Sequence, residues 1–254
     1  MKVTFVGVGE SCDERVPNTS LLVEVPAAGG LRTILLDCGF TAAARYWNHA
    51  ADADELDGLW ISHFHGDHFF GTPALLLRFW EMRRSKPLVV VGQESIRRVI
   101  EETMDLAYPN FRQKLTYPLD FIELAAEKPE SILGATWQAA ENDHSQRSLA
   151  VRIDAGGRGV FYSGDGRPTA ETLRLARGCG LVVHEAYQIE GSTPGHGTVS
   201  GCVDFARRAG VETLALVHIQ REVRRSRYQE ILKVLAEVKD FHAHLPEPDD
   251  VLDV

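Results

Sequence analysis

Three imidazoles and a carboxylate fall within one short run of this chain, Ile61-Ser62-His63-Phe64-His65-Gly66-Asp67-His68. His63 and His65 stand two apart, so in extended geometry they face the same way. Asp67 and His68 follow a glycine turn and can face a second point. One loop can therefore offer two ligand pairs to two metal ions. Neutral imidazole and carboxylate suit zinc, and also iron or manganese. The competing explanation is a His-rich solvated loop, which a lone histidine would favour and this cluster does not.

The elements around the run must position it. Leu56 to Ile61 reads as the end of a strand. Phe69 to Arg84 carries apolar residues at helical spacing, among them Leu75, Leu76, Phe79, Trp80 and Met82, which read as a core-facing side. The cluster thus sits on a strand-to-helix loop. Elsewhere polar candidates fall just after predicted strands: Asp37, His144, Asp165, Glu185 and His218. Loops gathered at one edge of a sheet pair are a sensible place for a site.

The remaining elements follow from pattern. Strands are predicted at Lys2–Val8, Thr19–Val25, Leu31–Leu36, Leu88–Val91, Asp120–Leu124 and Ile132–Ala140. A hairpin spans Ser148–Ile153 and Gly159–Tyr162 around Ala155-Gly156-Gly157. Buried strands follow at Leu181–Val183 and Val211–Val217. Helices are predicted at Thr41–Ala50, Gln93–Leu106, Pro168–Ala176, from a Thr198 cap to Ala209, and at Arg224–Val238. Ala107–Leu119, with Tyr108-Pro109 and Tyr117-Pro118, should be irregular, either a wall over a site or a surface loop. The acidic tail from Pro246 to Val254 should fray.

Composition bounds the function classes. With 254 residues, 44% hydrophobic and 25% charged, the chain can build a full core. Nothing approaches the ~20-residue apolar run of a membrane span, and the N-terminus alternates like a strand rather than a signal peptide. Cys12, Cys38, Cys179 and Cys202 show no paired spacing and read as reduced, so a cytoplasmic location is expected. A net charge of −9 argues against non-specific nucleic-acid binding. It leaves room for an anionic substrate, because divalent cations can make a local positive site on an acidic protein.

Taken together, His63-x-His65-x-Asp67-His68, His144 in a polar loop, Asp165 in Ser-Gly-Asp-Gly and His218 in Leu-Val-His resemble the metal motifs of the metallo-β-lactamase fold, in that family's order. Asp37 in Leu-Leu-Asp-Cys-Gly matches the fold's early aspartate. The resemblance covers nearly the whole chain. It implies an α/β, four-layer αβ/βα sandwich over residues 1–254 as a single domain. It also implies two divalent metal ions, zinc first, with manganese or iron as alternatives. One ion would take His63, His65 and His144, the other Asp67, His68 and His218. Asp165 would bridge them, and Asp37 would orient a ligand from behind. Two such ions can activate a shared water and clamp the transition-state oxygens.

A narrower resemblance is to ribonuclease Z. His184-Glu185-Ala186 and Gly195-His196-Gly197-Thr198 resemble elements of that branch, as do Pro17-Asn18-Thr19-Ser20, Tyr117-Pro118-Leu119 and Ser163-Gly164-Asp165-Gly166-Arg167-Pro168. It implies that Glu185 and His196 pass a proton to the leaving oxygen, and that the protein is a homodimer. One departure matters. Ribonuclease Z carries a basic, Gly/Pro-rich arm that grips transfer RNA, and here residues 145–164 hold only the predicted hairpin. The expected function is therefore a dinuclear metal-dependent phosphodiesterase acting on a small or cyclic phosphodiester, with Asp67, Glu185 and His196 as catalytic residues and transfer RNA not a partner. Arg221, Arg224, Arg225 and Arg227 could meet phosphate or form a solvated face. The alternatives are hydrolysis of a lactone, thioester or sulfate ester on the same centre, or a non-catalytic metal- or ligand-binding protein.

Overall fold

The computed structural model describes residues 1–126 and 128–254. The first half runs β1 (Lys2–Gly7), β2 (Ser20–Ala27), β3 (Gly30–Leu36), α1 (Ala42–Tyr46), β4 (Leu56–Ile61), α2 (Gly66–Phe69), α3 (Thr72–Glu81), β5 (Leu88–Gly92), α4 (Ile96–Ala107) and β6 (Leu119–Glu123). The second runs β7 (Glu130–Ile132), β8 (Ala135–Glu141), β9 (Leu149–Ala155), β10 (Arg158–Tyr162), α5 (Ala170–Ala176), β11 (Leu181–Glu185), α6 (Val199–Ala209), β12 (Thr213–Val217), α7 (Arg221–Ser226), α8 (Tyr228–Glu237), β13 (His242–His244) and β14 (Val251–Asp253). Two seven-stranded sheets result, ordered β14-β1-β2-β3-β4-β5-β6 and β13-β12-β11-β10-β9-β8-β7.

Strand side chains alternate between two apolar layers. In β4, Trp60 points into the core between the sheets, while Leu59 and Ile61 point under the first set of helices. In β12, Ala215 and Val217 face the inter-sheet core, while Leu214 and Leu216 face the second set. This double burial explains why the central strands read as continuous apolar runs. Trp60 and Trp137 meet across the sandwich with centroids 6.1 Å apart. The architecture is the expected four layers, helix, sheet, sheet, helix.

Strands β3, β4, β5 and β6 pair in parallel, as do β10, β11, β12 and β13. Their carboxyl ends gather on one edge, where ligands bind in open parallel sheets. Asp37, His63, Asp165, Glu185 and His218 lie at those ends, and His144 follows antiparallel β8.

Several boundaries differ from expectation. The strand expected over Ile132–Ala140 is a hairpin, turned by Leu133 (φ 52°) and Gly134 (φ 81°). The expected 41–50 helix keeps only Ala42–Tyr46, and Phe69–Arg84 is helical only over Thr72–Glu81, behind the separate turn of α2. Thr169, not Pro168, opens α5, through a reciprocal cap with Thr172. The terminal helix breaks at Arg227, which ends α7 and caps α8. Residues 107–119 form no wall over the site. Tyr117 is buried and donates to Leu76 O at 2.9 Å, so this segment covers the outer helix layer.

The acidic tail is not frayed. Its strand β14 pairs with β1, Phe5 N donates to Asp250 O at 2.9 Å, and the Met1 ammonium donates to Val254 O at 2.9 Å. Deleting residues 249–254 removes this edge pairing, and at about 1 kcal/mol per bond the loss is roughly 2–4 kcal/mol. Thermal unfolding should then fall by roughly 5–10 °C. An unchanged melting temperature would show that the tail contributes nothing to the sheet. All four cysteines are free, Cys12 exposed and the others buried. Among the described residues no helix is long and apolar enough to cross a membrane.

Candidate metal centre

After β4 the chain stays extended through His65 and then turns sharply into α2. The turn brings His68 back against the end of β3, where Cys38 N donates to His68 O at 2.7 Å. The two segments cross so closely that a Cβ at Gly39 would collide with the Asp67 carbonyl oxygen. Glycine is therefore required there, which explains Asp37-Cys38-Gly39 beside the histidine run.

Asp37 is fully buried and works behind the ligands. Its Oδ1 accepts from Ser62 N at 2.7 Å, and its Oδ2 accepts from Ser62 Oγ at 2.7 Å and lies 2.7 Å from His68 Nδ1. A carboxylate only accepts, so His68 Nδ1 carries the proton and Nε2 is left to face the site. Ser62 Oγ gives its one hydrogen to Asp37 and must accept from His63 Nδ1, 3.0 Å away. His63 Nε2 is thereby left as a lone pair. His144 follows the same rule, with Nδ1 2.7 Å from Gly195 O. Such outer partners fix the tautomer a metal needs.

The freed atoms converge in two groups that share Asp165. In the first, His63 Nε2 and His144 Nε2 lie 3.0 and 3.1 Å from His65 Nδ1, and His63 Nε2 lies 4.0 Å from Asp165 Oδ2. In the second, Asp67 Oδ2 lies 3.3 Å from His68 Nε2 and 3.2 Å from His218 Nε2. Asp165 completes it, with Oδ1 3.4 Å from His68 Nε2 and Oδ2 3.4 Å from His218 Nε2. Within each group the ligand atoms all lie within 4.8 Å of one another.

These separations fit a cation. Ligands about 2.0–2.1 Å from a tetrahedral zinc stand about 3.3 Å apart. Ring nitrogens bearing lone pairs at such distances repel unless positive charge lies among them. His68 Nε2 and Asp165 Oδ1 are also buried without a hydrogen-bond partner among the described residues. Titration behaviour agrees. Burial, then the neighbouring His68, holds His63 well below its ordinary pKa, which favours the neutral imidazole a metal would need. Burial opposes charge on Asp165, yet His218 and His68 outweigh it and hold the carboxyl well below the usual range. Burial also opposes charge on His218, but Asp165 and Asp67 push it up to about 9.

Glu185 and His196 lie at the rim. Buried Glu185 accepts from Gly197 N at 2.8 Å, Gly166 N at 3.1 Å and Tyr187 N at 3.1 Å. His196 Nδ1 is 3.4 Å from Glu185 Oε1, an ion-pair contact rather than an aligned hydrogen bond. Burial lowers the His196 pKa, but Glu185 outweighs it and the net shift is upward. The His196 ring stacks on Tyr187, centroids 4.6 Å apart, and lies parallel to His218 at 5.9 Å. A cleft of about 360 Å³ opens over the centre, lined by Glu10, Phe40, Asp67, Tyr187, His196 and His218 among others.

The ligand candidates singled out from sequence, with Glu185 and His196, therefore meet at one edge. Sequence reasoning missed Ser62 and the Gly195 carbonyl, whose roles depend on partners far along the chain, and Tyr187, which only stacking reveals. The arginines after His218 each have an acidic neighbour, which for Arg221 is the cleft-lining Glu10. Arg221 pairs with Glu10 at 2.7 Å, Arg224 is buried against Pro246 O and Glu247, Arg225 lies 3.8 Å from Glu222, and Arg227 pairs with Glu230.

Two mixed sheets between helices, with a His/Asp-rich edge, define the metallo-β-lactamase fold. YhfI from Bacillus subtilis superposes with a TM-score of 0.77 at 20% identity over 99% of both chains. Human tRNase Z, short form, superposes with a TM-score of 0.77 at 22% identity over 100% of this chain and 99% of that one. In sequence, ribonuclease Z of Methanosarcina acetivorans is 26% identical over 314 aligned positions, covering 100% of this chain and 97% of the relative. That alignment is longer than the 254 residues here, so the relative has insertions that this chain lacks. Residues 1–235 match the family described as Anti-Pycsar protein Apyc1, and the chain belongs to that family.

Proposed function

We propose that the protein is a dinuclear metal-dependent phosphodiesterase acting on a small or cyclic phosphodiester, with zinc as its metal. The observation that carries this reading is the pair of four-residue ligand groups sharing Asp165, with Glu185 and His196 at their rim. His63, His65 and His144 would hold one ion and Asp67, His68 and His218 the other, with Asp165 available to both. Imidazole-rich sets with carboxylate suit zinc. Two divalent ions bound there would supply Lewis acidity, which activates water and neutralises charge on the phosphoryl oxygens.

The chain's own residues do the rest. Asp67 lines the cleft floor, where its carboxylate can orient an attacking water. Glu185, fixed by three backbone donors, favours the protonated form of His196 at the rim. His196 then gives its proton to the leaving oxygen, which would otherwise depart as an alkoxide.

A small substrate is favoured by the lack, among the described residues, of a basic arm between His144 and Asp165. The stretch between His144 and Asp165 is the β9–β10 hairpin, turned at Gly156-Gly157. The arginines beside His218 are paired, and the net charge is −9. Turnover of a cyclic mononucleotide and of bis(p-nitrophenyl) phosphate should exceed that of precursor transfer RNA by about 100-fold or more in kcat/KM, a difference of about 2.7 kcal/mol. Preferential cleavage of the transfer RNA precursor would refute the size argument.

A further inference from the structure

The Asp37 carboxylate receives one more donor, from the opposite sheet. Tyr162 is the last residue of β10, only 1% exposed, and its hydroxyl donates to Asp37 Oδ2 at 2.7 Å. Asp37 lies just past β3 in the other sheet with φ 60°, a left-handed conformation that a non-glycine residue keeps only where its surroundings hold it. Oδ2 thus gathers Ser62 Oγ, His68 Nδ1 and Tyr162 Oη. His68 takes its orientation from this carboxylate directly, and His63 takes it through Ser62. Three residues beyond Tyr162 stands Asp165, shared by the two ligand groups. The loops also touch here, since a Cβ at Gly164 would lie 2.7 Å from Ser62 Cβ.

We propose that Tyr162 is a positioning residue of the metal centre: its hydroxyl locks Asp37 from across the sandwich. It thereby holds the histidine loop of one sheet in register with the Asp165 loop of the other. The inference rests on the ligand sets proposed above. Burial, then the Asp37 charge, pushes the phenol well above its usual pKa, so it stays a donor. Its ring also packs in the inter-sheet core, and a phenylalanine would keep that packing while removing only the hydroxyl.

The test titrates metal-stripped protein with Zn²⁺ against a chromophoric chelator, alongside thermal unfolding. In Tyr162→Phe the ion held by Asp67, His68 and His218 should bind about 3–10-fold more weakly, less than the ~10–100-fold cost of losing a direct outer partner, because Asp37 stays in place. Replacing zinc by Co²⁺ should show altered visible bands for that ion. The control is Phe161→Leu, one residue earlier, whose ring faces the helix layer instead. It should lower the melting temperature and leave both zinc affinities unchanged. Wild-type affinities in Tyr162→Phe, or equal weakening in Phe161→Leu, would overturn the assignment while leaving the ligand sets intact. A wild-type protein that fails to bind two ions would overturn the ligand sets themselves.

Discussion

Asp165→Ala should lower phosphodiester turnover about a thousandfold or more, equivalent to about 4 kcal/mol of barrier, and should lower the metal content of the purified protein. Asp165 is the one residue common to both ligand groups. Its two oxygens face different histidines, Oδ1 toward His68 and Oδ2 toward His218 and His63. On the proposed ligand sets its removal would take a ligand from each ion, and it leaves the neighbouring imidazoles without the carboxylate beside them. The fold should survive, because the backbone of this loop is held independently. Asn142 Nδ2 donates to Ser163 O at 2.6 Å, and Arg167 N donates to Asp143 O at 3.0 Å. Turnover and metal content are read on the same preparation. A variant that keeps two ions and wild-type turnover would show that Asp165 is not shared.

His196→Ala has the second largest expected effect, and it should depend on the leaving group. A ribose or other alkyl alkoxide leaves poorly without a proton, so its departure should slow by about 10²–10³-fold, within the usual span for a positioned acid. A p-nitrophenolate leaves well unaided, so bis(p-nitrophenyl) phosphate should lose less than about tenfold, under about 1.4 kcal/mol. Glu185→Gln should follow the same pattern more weakly, since it removes the charge that favours protonated His196 while preserving an acceptor for Gly197 N. Equal losses on both substrates would mean that His196 binds or positions substrate and transfers no proton.

The chemistry of this site was legible because it is written in residue types. Imidazoles and carboxylates in one loop, and single polar residues at strand ends, remain visible without a structure. The sandwich was legible because double burial leaves unbroken apolar strands. What escaped depends on tertiary closure. Leu133-Gly134 turns a hairpin although leucine is no turn signal, so two strands read as one. The apolar spacing from Arg224 onward runs through the break at Arg227, because Arg224 is drawn inward by Pro246 O and Glu247 while Ile231 and Leu235 set a new buried side. The tail looked too acidic to pack, yet it needed only backbone pairing with β1. Ser62 and Tyr162 carry no local mark at all, and their meaning lies in Asp37, which Tyr162 reaches across 125 residues of chain.

Phosphodiester cleavage at this edge should depend on two metal ions. The most direct test strips the purified protein with a chelator, restores Zn²⁺ stepwise, and follows cleavage of a cyclic phosphodiester beside a lactone, a thioester and a sulfate ester. Stripped protein should not cleave, recovery should saturate at two equivalents, and the phosphodiester should be preferred. Two bound equivalents with no phosphodiester turnover, or with faster cleavage of one of the other esters, would contradict the proposed function.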